Sequence, residues 1–183
     1  LADDIYLYAD FVARLDQAHM LRYSTNAKDL ITPFFVKKKS GKLRIVWDCR
    51  SVNTRFSRCP KLNMSSGSAL ADLEFEQEDE VYTAQADLAN YFYHLGISPE
   101  LSDYFALPKL DVAMLRRTCA LPAEIASLPD GSLVSPCLCV VPMGWTWAMW
   151  VAQRVVYHQA LCSKVIPVDR IMCDDRPAPD MSG

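Results

Sequence analysis

The 183-residue chain is 51% hydrophobic and 22% charged, the balance of a globular protein with a real core, which excludes a disordered chain. Its apolar runs fall well short of the roughly 18 residues of a membrane span, and no charged-then-apolar leader opens it, so no membrane partner is expected. A net charge of −3 argues against general, charge-driven nucleic-acid binding and moves attention to where the charges sit.

The length suits one domain or a domain and a half. Leu1 stands first rather than Met, and the chain is expected to be a piece of a longer product. From Ile5 to Arg22, Ile5, Tyr8, Phe11, Val12, Leu15 and His19 fall at helical spacing and predict an amphipathic helix. Phe34 to Trp47 is two apolar-rich runs joined by Ser40-Gly41, which predicts a hairpin with a two-residue turn. Residues 54–80 read as irregular or partly helical, and the acid-rich Asp72–Glu80 as a solvated face. Val81–Leu88 reads as a buried strand, followed by a short aromatic helix over Asn90–Leu95. Pro99 suits the first position of a further helical turn. Residues 108–132, with three prolines and one glycine, read as an insertion. Leu133–Val141 reads as a strand interrupted by Pro136. Thr146 can cap a helix from Trp147 to about Cys162, and the tail from Asp174 is turn-like.

Seven cysteines at positions 49, 59, 119, 137, 139, 162 and 173 form no CxxC pair and come with no clustered His. They are expected to be packed, reduced thiols of an intracellular compartment, cytoplasm or nucleus, rather than zinc ligands.

The cations are gathered. Lys37 to Lys61 holds five lysines and four arginines against one aspartate, in a chain that is acidic overall. Pairing across Ser40-Gly41 sets Lys39 opposite Lys42, Lys37 opposite Arg44 and Phe35 opposite Val46. Alternation then puts Lys37, Lys39, Lys42 and Arg44 on one face, and Phe34, Val36, Leu43, Ile45 and Trp47 on the packing face. Like charges facing each other repel, so the hairpin is either a clamp for phosphate oxygens or a solvated edge that discourages strand addition. In "ADLANYFYHL", Asp87 ends the apolar strand just before the aromatic helix, as a helix cap or as a carboxylate able to hold Mg²⁺ against substrate phosphates. In "PMGWTWAMWVAQ", Pro142-Met143-Gly144 is a tight turn opening a helix, and Gly144 permits close backbone approach.

Three stretches, "FFVKKKSGKLRIVWDCRSVN", "ADLANYFYHLGI" and "VPMGWTWAMWVAQ", in this order resemble the reverse transcriptase domain of retroelements over roughly residues 30–163. The resemblance implies an α+β, right-hand polymerase fold. Residues 1–75 would be fingers-like, with the basic hairpin at 34–48, and 76–183 an incomplete palm carrying the insertion at about 108–132. It implies that Lys37 and Arg44 grip the triphosphate of an incoming dNTP, and that Asp48, Arg50 and Asn53, matching Asp-x-Arg-x-x-Asn, support the fingers. Asp87 would be catalytic and the first metal ligand, with the Leu88 carbonyl beside it. Phe92 would lie under the sugar, and Met143 and Gly144 would border the nascent base pair, on a turn supported by the helix through Gln153–Tyr157. The chain departs from the family at Asn90, often acidic, at Tyr91, often Ala, and at Met143, often Gln. The second catalytic element, an aromatic-x-Asp-Asp hairpin, has no clear counterpart. Asp174 of "MCDDRPAP" stands near the right spacing as a metal ligand, but Pro177 and Pro179 deny it a second strand.

The implied activity is RNA-directed DNA synthesis on an RNA or DNA template with a primer, in a parent polyprotein carrying other domains. Two Mg²⁺ ions are implied. One aspartate cannot hold both, so this chain by itself is expected not to polymerise. Two alternatives stand beside this reading: an RNA-dependent RNA polymerase palm, against which Phe92 argues by blocking a ribose 2′-hydroxyl, and a non-catalytic relic acting at most as a nucleic-acid-binding fragment.

Overall fold

The computed structural model describes residues 4–75 and 80–179, so part of the acidic run Asp72–Glu80 lies outside the described residues. The protein is mixed α+β, with two small antiparallel sheets and short helices. In chain order the elements are α1 (Ile5–Gln17), β1 (Leu21–Ser24), β2 (Thr32–Lys37), β3 (Leu43–Asp48), α2 (Arg50–Asn53), α3 (Gly67–Ala71), a 3₁₀ turn (Tyr91–His94), α4 (Pro99–Ser102), β4 (Leu110–Asp111), α5 (Val112–Leu115), α6 (Ala123–Ala126), β5 (Leu133–Leu138), α7 (Ala148–Ser163) and a second 3₁₀ turn (Val168–Arg170). They form two compact units that interleave along the chain: Leu1–Arg58 with Asn90–Ala148, and Cys59–Ala89 with Met149–Gly183. The chain passes between the units after Arg58, Ala89 and Ala148, whereas the sequence places one division at 75/76.

In the first unit, Asp4 caps α1 by accepting the Tyr6 and Leu7 N–H groups at 3.0 Å each. Tyr8, Ala9, Val12, Ala13 and Leu15 form its buried stripe. The helix ends at Gln17, not Arg22 as the spacing predicts. His19 turns left-handed at φ 55°, its N–H bonds Asp16 O, and Met20 N–H bonds Leu15 O, which closes the helix end. The residues beyond it pair as β1 with β5, because ladder bonds at Leu21↔Leu138 through Ser24↔Ser135 outweigh another helical turn.

β5 is the middle strand of the order β1-β5-β4, and Pro136 lies inside it. Its carbonyl accepts from Leu107 N–H at 2.7 Å, so its missing N–H also faces away from β1. The β1 ladder therefore loses no bond to the proline. Residues 108–132 do not behave as an appended insertion. Leu110, Val112 and Leu115 are fully buried, beside a core that includes Phe105, Leu107, Val134 and Leu138. Ser98 caps α4, with Pro99 at its start as expected.

In the second unit, Ser66 caps α3 and α7 supplies the long helix, starting and ending one residue later than expected. The strand expected at Val81–Leu88 does not form. Residues 80–89 are all exposed, and among the described residues none of them joins a ladder. Thr83, Gln85 and Asp87 leave this stretch little apolar area to bury, and a strand without a ladder partner leaves its backbone to water.

Candidate functional site

The hairpin forms, with a register one residue away from the expected one. Its turn is three residues, Lys39-Ser40-Gly41: Gly41 N–H bonds Lys38 O at 2.9 Å, Lys38 N–H bonds Lys42 O at 2.8 Å, and Gly41 sits at φ 80°. This is the turn-plus-bulge that a glycine in the left-handed region favours over a two-residue loop. Val36 therefore pairs with Arg44 and Lys37 with Leu43. One slip moves every side chain of a strand to the other face. Lys37 shares a face with Phe35, Leu43, Ile45 and Trp47, whereas Arg44 shares the other with Phe34, Val36 and Val46. The four-cation face expected from the sequence is thus split, and Lys37 and Arg44 do not face each other. Both remain exposed at the tip with Lys38, Lys39 and Lys42, and none of the five forms an ion pair among the described residues.

The root of the hairpin is fixed. Trp47 is buried, Phe35 meets Phe11 edge-on with centroids 6.0 Å apart, and the Tyr93 hydroxyl donates to Ile45 O at 3.2 Å. That last bond sets the aromatic 3₁₀ turn against β3. Burial raises the Tyr93 pKa, so the hydroxyl stays a donor at neutral pH. Phe92, on the same turn, is half-buried beside Tyr91.

The Pro142-Met143-Gly144 turn is held against the end of β3. Trp47 N–H donates to Met143 O at 3.0 Å. Gly144 adopts φ 132°, and a Cβ there would lie 2.1 Å from Trp47 O. No side chain fits at that spacing. Asn53, at the end of α2, bridges the turn from the other side. Its Nδ2 donates to Gly144 O at 3.1 Å, and its Oδ1 accepts from Thr146 N–H at 2.9 Å. Trp147 Nε1 donates to Ser57 O at 2.9 Å.

Asp48 and Arg50 serve the same corner. Arg50 donates from Nε at 2.9 Å and from Nη2 at 2.6 Å, and its backbone N–H also bonds Asp48. These bonds hold the Asp48 carboxyl below the usual carboxylate range. Asp29, which the sequence reading passed over, ties α2 down: it accepts from Leu30 N–H, Ser51 Oγ and Arg55 Nε. Burial opposes its ionisation, but those hydrogen bonds win and its pKa falls. Nothing in its local sequence marks it, because its side-chain partners Ser51 and Arg55 lie more than twenty residues away.

The structure therefore collects Lys37, Arg44, Asp48, Arg50, Asn53, Phe92, Met143 and Gly144 in the first unit. Asp87, Leu88 and Asp174 fall in the second. Asp87 is exposed on irregular chain, not at the end of a buried strand. The Asp174 carboxylate accepts Ser66 N–H at 2.7 Å, and Asp175 accepts Asn63 Nδ2 at 2.6 Å, so both tie the tail to the 63–66 loop. Among the described residues, no three His, Cys, Asp or Glu come together as a metal site would need.

No protein-family model matches the chain, and no curated protein matches it.

Proposed function

We propose that the chain is part of a reverse transcriptase-type polymerase, contributing fingers and an incomplete palm to template-directed DNA synthesis. The observation that carries this reading is the Asn53 bridge. It joins Asn53, which the resemblance gives as support for the fingers, to the Met143-Gly144 turn ninety-one residues further on, which the resemblance sets beside the nascent base pair. In this reading the tip cations Lys37 and Arg44 neutralise the β- and γ-phosphates of a dNTP. They do so from two sides of the hairpin rather than from one face. Phe92 lies under the sugar, and the rigid Gly144 turn borders the new base pair. The primer 3′-oxygen attacks the α-phosphorus, the α–β bridging bond breaks, and pyrophosphate leaves. Mg²⁺, when bound, would supply charge to the reacting oxygens. Asp87 is the one carboxylate here that matches, so further ligands come from residues outside this chain.

A second reading, a non-catalytic relic, is favoured by the exposure of Asp87 and the engagement of Asp174 with Ser66. Primer extension with dNTPs separates the two. This chain alone is expected to be inactive. A version extended downstream is expected to be active, to lose activity with Asp87→Asn and to keep it with Asp174→Asn. Arg44→Ala in the active version should raise the apparent KM for dNTPs by about tenfold or more, the worth of a charge-assisted hydrogen bond. Phe92→Val should admit ribonucleotides. An extended chain that never polymerises leaves the relic standing.

A further inference from the structure

In the second unit, Lys61, Arg154 and Arg176 converge on a cavity of about 120 Å³ whose walls include Trp150, Gln153 and Tyr157. Among the described residues no carboxylate is in the lining. Among the described residues none of the three cations takes part in an ion pair. Asp174 and Asp175 follow close in sequence on Cys173, but they bond Ser66 N–H and the Asn63 carboxamide instead.

Arg154 is held before any ligand arrives. Trp150 and Tyr157 flank it on one face of α7, with the guanidinium carbon 5.9 Å from the Trp150 ring and 5.8 Å from the Tyr157 ring. Such cation–π contacts fix the side chain while leaving its N–H edge able to donate, which lowers the ordering cost of binding. The opposite wall is also fixed. Gln153 Nε2 donates to Asn63 O at 2.5 Å, which ties α7 to the loop carrying Lys61, and Arg176 N–H bonds Cys173 O at 3.2 Å. Three like charges around a cavity this small repel one another, and a compact anion relieves that repulsion. Arginine forks match the paired oxygens of a phosphoryl group.

We propose that this pocket binds a phosphoryl group, presented either as a free phosphate anion or as a backbone phosphate of a nucleic-acid strand. Lys61, Arg154 and Arg176 have no part in the nucleotide site proposed above, so the pocket stands or falls separately from the polymerase reading.

The test is calorimetric titration of the whole chain with inorganic phosphate and, separately, with an oligothymidylate. Saturable binding is expected, weakened about tenfold by Lys61→Gln or Arg176→Gln, the usual worth of one charge-assisted contact. Lys109→Gln, which removes the same charge from the first unit, should leave binding within about twofold. Arg154→Lys keeps the charge and loses the fork, and should fall between them. An oligonucleotide that binds more tightly than phosphate and is displaced by it identifies the strand backbone as the source. Phosphate binding alone identifies a free anion. Far-UV circular dichroism checks each variant, and the exposed Lys61 carries the test if either arginine variant misfolds. Absence of binding by both probes, or equal weakening by Lys109→Gln, overturns the proposal.

Discussion

Aromatic side chains do different jobs in the two units. In the first, Phe56, Tyr104, Phe105 and Trp145 pack edge-on or stacked, with centroids 5.3–6.4 Å apart, and Phe105 is completely buried. In the second, Trp150 and Tyr157 stay half-buried and hold an arginine instead of each other. The backbone differs in the same sense. The first unit closes its ladders, and even Leu95–Ile97 is bonded to Cys139–Val141. Residues 80–89 of the second join none, among those described. The contrast shows where stability resides. Hydrophobic burial and shared ladders fix one region, and in the other the Ser66 cap of α3 and the Asp174 bond from the tail to Ser66 N–H hold separate stretches.

The largest way to break the contrast is Gly144→Ala. The new methyl meets Trp47 O, and the φ of 132° strains any side chain. A loss of about 4 kcal/mol is expected, from backbone strain together with overpacking. Hydrogen exchange should show lost protection in β3 and the 142–146 turn. Full retention would mean that the turn is not locked on β3.

Asn53→Ala removes both bonds to the turn and should cost about 1–2 kcal/mol in urea denaturation. Asn53→Asp retains the acceptor toward Thr146 N–H but cannot donate to Gly144 O, and should fall between. If Asn53→Ala is neutral, the bridge does not hold the two motifs together.

Acid should loosen the first unit. Asp29 and Asp103 both ionise below the usual range: burial pushes each carboxyl up, and hydrogen bonds, from Leu30, Arg55 and Ser51 for Asp29 and from Arg22 and Ser24 for Asp103, pull it down further. A lowered folded pKa gives stability that is complete above the unfolded value of about 3.9 and is lost as pH falls through the folded one. The urea midpoint should therefore hold from pH 7 to about 5 and drop below about 4. Arg22→Gln should flatten that drop by removing the partner 2.6 Å from Asp103.

The smallest effect is expected at Arg14→Ala, which deletes an i,i+4 pair with Asp10 on the exposed side of α1. A change below about 0.5 kcal/mol, weaker still in salt, would be ordinary for such a pair. A larger loss would place part of the first unit's stability on its surface.

Local chemistry was legible where the signal was local. The middle of the α1 stripe, from Tyr8 to Leu15, a glycine in the hairpin turn, Pro99 at the head of α4 and the helix after Thr146 follow from side-chain spacing and from what proline and glycine allow, whereas the two-residue length of the turn and a buried Ile5 did not hold. All seven cysteines are free thiols in the structure. Burial lifts Cys49 and Cys137 to about 12, so those two thiols stay protonated at neutral pH. Features that needed a distant partner were misread or missed. A strand over 81–88 required a neighbouring ladder, and the inserted look of 108–132 hid Leu110, Val112 and Leu115.

By itself the sequence determined that the chain has a core, that a cation-rich hairpin lies between Phe34 and Asp48, and that a glycine turn precedes a long helix. Only the tertiary structure decided the hairpin's register, because the Gly41 bulge adds one residue and one residue reverses every face. It alone decided that Asn53 reaches Gly144, and that Lys61, Arg154 and Arg176 surround one cavity. Contacts between residues far apart in sequence are set by how the whole chain packs, and no local pattern of side chains encodes them.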